Sequence, residues 1–167
     1  MKDDNRVLKM VYTFFLGILL ALFVGVGINT FYEPPKAPEY PLELNMLQGK
    51  EPTQSERAAE RAFQISEKAY QEKMKPYNRN VSIMTLVAAI SFLAISLAFE
   101  KRIKVIADGV MLGGLFTLLY SIGRGFASEN SKYVFVMITV GLVVVLLLGY
   151  HRFVAPHQKK PNNSKIQ

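Results

Sequence analysis

Asp108 is the only carboxylate inside any of the long apolar stretches of this chain. A carboxylate at that depth is costly to hold in lipid, and where one occurs it commonly carries a proton or a cation. Its position allows a plainer account. It lies one turn past Lys104, about 6 Å deeper at about 1.5 Å per residue, near a helix start where the dipole favours an anion and Lys104 stands at i−4 to pair with it. Arg124, between Gly123 and Gly125, poses a similar choice. It is either a cation for a lipid phosphate or other anion, or a cation closing the C-terminal end of a helix, with a flanking glycine taking the left-handed position. Asn29 sits near the end of the first apolar stretch, as a hydrogen-bond partner for another span or as an interfacial residue. Ser82, Thr85, Ser91 and Ser96 place hydroxyls along a further stretch. They line a polar path or bond back to their own helix; with no carboxylate, Lys or Arg beside them, back-bonding is the stronger reading.

None of these groups assembles into a catalytic set. His151 and His157 lie six apart with no carboxylate placed as a co-ligand, so no metal site is expected. The chain has no cysteine, no Gly-rich phosphate loop, no H-E-x-x-H and no Ser/His/Asp set able to meet at one depth. The expectation is a non-enzyme with no catalytic residue and no cofactor. The formal net charge of +7, from 20 Lys and Arg against 13 Asp and Glu, belongs to the segments flanking membrane spans. No aromatic-interleaved basic face accompanies it, so nucleic acid is not an expected partner.

The elements that position these residues follow from hydropathy. The fold class read from the sequence is an all-α membrane protein with four transmembrane helices and one extramembrane amphipathic helix. The spans are 10–31, 81–99, 103–122 and 133–150, each 18 to 22 residues and able to cross a hydrocarbon core of about 30 Å. Residues 1–9 resemble the n-region of a signal peptide, but the apolar run is too long for an h-region and no A-x-A-like site follows, which predicts an uncleaved anchor. Residues 32–52 carry Pro34, Pro35, Pro38, Pro41 and Pro52, predicting an extended, partly polyproline linker. Leu42, Leu44, Met46 and Leu47 within it are apolar enough to rest on the membrane surface or on a neighbour.

Thr53-Gln54-Ser55-Glu56 fits a capping box and opens a helix over 53–75. Ala59, Phe63, Ser66, Tyr70, Met74 and Tyr77 share one face of it, with Ala58, Ala62, Ile65 and Ala69 beside them and mixed charges opposite. Phe63, Tyr70 and Met74 form the candidate external interaction face. Pro76 is expected to end or kink this helix. The connection at 100–104 is short enough to force an antiparallel hairpin, and 151–167 is a basic tail.

Small residues recur every fourth position at Gly17, Ala21 and Gly25, and again at Gly109, Gly113, Thr117 and Ser121. Between helices in lipid, close approach substitutes for hydrophobic force, so both ladders are candidate packing faces, within the chain or with a second copy. Four crossings place both termini on one side. Near span ends that side carries ten basic residues against seven on the other, which predicts cytoplasmic termini and an external linker in a plasma or inner membrane. The expected partners are the bilayer and a second membrane protein or a copy of this chain. The preferred reading is an interaction or assembly component; its rival is a transporter or channel subunit using Asp108 and the polar faces of the second and third spans.

Overall fold

The computed structural model describes residues 2–41 and 53–154. Its helices are α1 (Lys2–Phe31), α2 (Gln54–Phe99), α3 (Lys104–Phe126) and α4 (Ser131–Gly149), followed by one π-helical turn at Tyr150–Val154. All four α-helices are long and apolar enough to cross a membrane. Linker residues 42–52, with Leu42, Leu44, Met46 and Leu47, and tail residues 155–167, with His157, lie outside the described residues.

The pattern of burial is inverted relative to a water-soluble bundle. Ser82, Thr85, Ser96, Thr117 and Ser121 are almost wholly buried, while Phe15, Leu19, Phe23, Phe135, Leu142 and Leu146 are exposed, Phe23 by 75%. In water such a surface would be one large apolar patch. In lipid it is the expected arrangement, with small and polar residues between helices and large apolar ones facing hydrocarbon. Hydroxyls on the exposed side do not stand free. Ser91 donates to the Val87 carbonyl and Thr139 to that of Phe135, each at i−4.

Residues 54–75 and the second span form one helix, so Pro76, expected to end or kink it, does not end it. Helix α2 runs unbroken for 46 residues with Pro76 inside it, about 69 Å at about 1.5 Å per residue. Proline removes one N–H and frees the carbonyl four residues earlier, here that of Glu72. Both Pro76 and Glu72 are exposed, so that carbonyl is not sealed among packed side chains and the ring lies away from packed neighbours. Immediately beyond it, Tyr77, Asn78, Val81 and Ser82 are buried, and tertiary contacts hold both sides of the proline in register.

Other boundaries shift in the same sense. Helix α1 begins at Lys2 because nothing in residues 2–9 breaks it. Helix α3 continues through Gly123 and Gly125 to Phe126, and the left-handed residue is Glu129, at φ 55°, rather than either glycine. Gly125 instead permits close approach, since a Cβ there would lie 3.2 Å from the Ser82 hydroxyl.

The N-terminus of α2 is closed by the capping box expected from its sequence. Glu56 accepts the Thr53 N–H at 2.6 Å and its hydroxyl at 2.8 Å. These bonds, the backbone one foremost, hold the Glu56 carboxyl below its usual range. A depressed carboxylate pKa stabilises the fold above the unfolded-state pKa, and that stability is lost as pH falls through the folded-state value. Thr53→Ala is expected to cost about 1 kcal/mol of local helix stability. Amide exchange at Glu56, whose N–H the Thr53 hydroxyl accepts, should therefore speed up roughly fivefold.

Helix α3 is the centre of the bundle, packing on α2 along its length and on α1, with α4 against it on a further side. Against α1 the small-residue ladders meet. A Cβ on Gly113 would fall 2.9 Å from Leu20 Cβ and 3.3 Å from the Gly17 carbonyl oxygen; one on Gly17 would fall 3.0 Å from Leu112. Against α2, Gly114 faces Leu93 and the Ala89 carbonyl. Helix α4 contributes a 3-4-7 seam of Val134, Met137, Gly141 and Leu148, with Gly141 against Leu118.

Candidate functional site

Polar side chains gather in three places: along the α2–α3 interface and at the two ends of the bundle. The interface is a hydrogen-bonded seam. Ser82 donates to the Ser121 carbonyl at 2.7 Å and Ser121 donates back to the Ser82 carbonyl at 2.8 Å. Ser96 donates to the Ala107 carbonyl at 2.8 Å. Thr85 and Thr117 bond to carbonyls of their own helices. Ser82, Ser96 and Ser121 thus tie the two helices together, while Thr85 and Thr117 satisfy themselves on their own helix, as a low-dielectric setting demands.

At the end carrying the termini, Asp108 pairs with Arg152. This corrects the pairing expected with Lys104. The reason lies in register: Arg152 follows Leu148 at i+4, so it continues the buried seam of α4 inward over the α2–α3 hairpin. Lys104, in the first turn of α3, is exposed. Glu100, capping α2, lies 3.8 Å from Arg152 Nε. The Arg152 side chain is only 8% exposed, and its Nη1 has no partner among the described residues. A guanidinium buried to this extent requires its carboxylates, and they in turn need it.

At the opposite end, Arg124 sits in the last turn of α3. Its Nη1 donates to Asn78 Oδ1 at 2.8 Å and its Nε to the Tyr120 hydroxyl at 3.0 Å. The guanidinium lies 5.8 Å from the Tyr77 ring centroid and 5.6 Å from that of Tyr120, the geometry of cation–π attraction. Asn78 passes the connection on, donating to the Ala127 carbonyl at 3.1 Å. Lys75 bridges Glu72 and Glu129 at 2.8 and 2.9 Å, tying α2 to the α3–α4 turn. Hydrogen bonds to those two carboxylates, Glu72 first, raise its ammonium pKa. No family model, curated protein or solved structure matches this chain.

The linker belongs to this end as well. Tyr32 stacks on Tyr77, with centroids 5.0 Å apart and planes 8° from parallel, while Tyr40 meets Phe63 edge-on at 5.1 Å. Tyr77 donates to the Tyr32 carbonyl and Asn80 to the Tyr32 hydroxyl. Between these anchors Tyr32, Pro35, Pro38 and Pro41 are the partly buried residues, the three-residue period of a polyproline II strand. Eight residues at about 3.1 Å match fourteen helical residues at about 1.5 Å, to within a few ångströms. The linker runs back along α2, over the stripe containing Phe63.

The remaining sequence-selected residues divide. Gly17, Gly109, Gly113 and Thr117 lie in helix contacts, and Ala21 and Gly25 flank them on α1. Asn29 is exposed, with no hydrogen bond to another helix among the described residues. Tyr70 and Met74 are partly buried beside Phe63's stripe. Among the described residues no three His, Asp or Glu side chains converge as a metal site. Arg152, Asn78 and Tyr32 are the contributors that sequence reasoning passed over. The seam spacing that leads from Leu148 to Arg152 was the available signal for the first.

Proposed function

We propose that this chain is a non-enzymatic membrane assembly component that anchors a rigid helical arm, residues 54–76 of α2, beside the bilayer. The reading carries both termini in the cytoplasm and the arm outside, as the basic residues near span ends favour. One observation carries it. With linker residues 32–41 seated over the Phe63 stripe, the neighbouring stripe of Ala58, Ala62, Ile65 and Ala69 is left uncovered by the described residues, and Ile65 is 69% exposed. Spacings of four, three and four along that stripe are those of a helix–helix seam. Arg61 and Lys68 flank it, suiting a helix with acidic edges better than a second copy of the same basic edge.

A photo-reactive side chain placed at Ile65, with Phe63 as the covered control, tests this in native membranes. The expected result is one discrete adduct with another membrane or exported protein at Ile65, and adducts with residues of the chain's own linker at Phe63. Adducts only to lipid at Ile65 would overturn the reading. The transport alternative draws on the Asp108–Arg152 pair, and it requires Asp108→Asn to abolish an ion- or proton-dependent flux at unchanged protein level.

A further inference from the structure

Helices α1 and α3 meet closely at Gly17 and Gly113, and towards the Arg124 end an apolar groove opens beside that contact. Ile18, Ala21, Leu22, Gly25, Val26, Phe116 and Tyr120 line it, enclosing about 440 Å³. That volume lies inside the roughly 300–1,000 Å³ range of ligand sites. Gly25 keeps it open: the nearest atoms to a Cβ built there are those of the Tyr120 ring, 4.0 Å away, so a larger side chain would project into the groove. At its upper end Tyr120 turns its hydroxyl to Arg124, whose guanidinium lies over the same ring.

Among the described residues Arg124 meets no carboxylate, since Glu129, the acid of the adjoining turn, is engaged by Lys75. Arg124 is held by neutral partners only, Asn78 and Tyr120, which fix its direction without neutralising it. A planar guanidinium so fixed is matched by a phosphate, which it can bind through two parallel hydrogen bonds. An apolar groove crowned by a fixed cation that meets no carboxylate among the described residues has the polarity of an anionic lipid. We infer that this is a phospholipid site, with an acyl chain along Ala21, Gly25 and Phe116 and the headgroup phosphate on Arg124. It is independent of the assembly reading.

The test is native mass spectrometry of the purified full chain in detergent, titrated with phosphatidylglycerol, phosphatidylcholine or inorganic phosphate. One phosphatidylglycerol should be retained about tenfold more tightly than phosphatidylcholine, whose phosphate carries the same charge but brings a choline cation against Arg124. Arg124→Gln should abolish that preference, while Lys132→Gln, a cation elsewhere on the same end, should leave it intact. Because Arg124 also braces Asn78, a second variant isolates the groove. Gly25→Leu, which fills the groove beside the Tyr120 ring while leaving Arg124 itself in place, should weaken both lipids about tenfold. Equal retention of the two lipids by the parent chain, or undiminished retention in Gly25→Leu, would overturn the proposal. Displacement of bound lipid by millimolar inorganic phosphate would do so too, by making Arg124 a free-anion site.

Discussion

Arg152→Ala should lower unfolding stability in detergent by about 3 kcal/mol, the lower end of the cost of breaking a buried ion pair by removing one partner. The guanidinium is nearly enclosed, and its loss leaves Asp108 and Glu100 as neighbouring like charges. Asp108→Asn should cost less, because Glu100 still faces Arg152 and Asp108 is itself 31% exposed. The double variant Arg152→Ala, Asp108→Asn should recover part of the loss, since it removes both halves of the pair. Equilibrium unfolding of the four proteins in one detergent gives the coupling directly. If Arg152→Ala unfolds at the parent's midpoint, the pair does not hold the end of α4 onto the hairpin.

The second large effect belongs to the α1–α3 crossing. Gly113→Leu is expected to destabilise by about 3 kcal/mol or more, at or beyond the upper end of overpacking costs. The first added carbon already meets Leu20 Cβ at 2.9 Å and the Gly17 carbonyl at 3.3 Å. Leu20 has some freedom to rotate away, but the Gly17 carbonyl is bonded into its own helix. Gly25→Ala is the matched control: its added carbon has nothing nearer than 4.0 Å, and alanine favours the helix by about 0.5–1 kcal/mol over glycine. Stability of the two variants should therefore move in opposite directions. A Gly113→Leu protein as stable as the parent would mean that α1 and α3 do not cross where the two glycines meet.

These two predictions also mark where sequence reasoning reaches and where it stops. Four apolar stretches, the Thr53 capping box, the proline-rich linker and the small-residue ladders are all local patterns, because hydropathy, capping and close approach are properties of neighbouring residues. Each could be placed from sequence alone. The ladders could not name their partners: that Gly113 faces Gly17 while Gly114 faces Leu93 depends on α3 being central. Pro76 is expected to end or kink the helix because its local effect is unfavourable, yet α2 passes through it, with burial beginning at Tyr77 and the freed carbonyl on the exposed Glu72. Asp108 was assigned to Lys104 by the i−4 rule, and only the return of α4 brings Arg152 to it from 44 residues away. In the same way, periodicity identified an apolar stripe on the arm, but only the path of the linker decided that Phe63 is covered and Ile65 is not. Contacts between distant segments turn on which of several compatible faces are used, and that is settled by packing the whole chain at once.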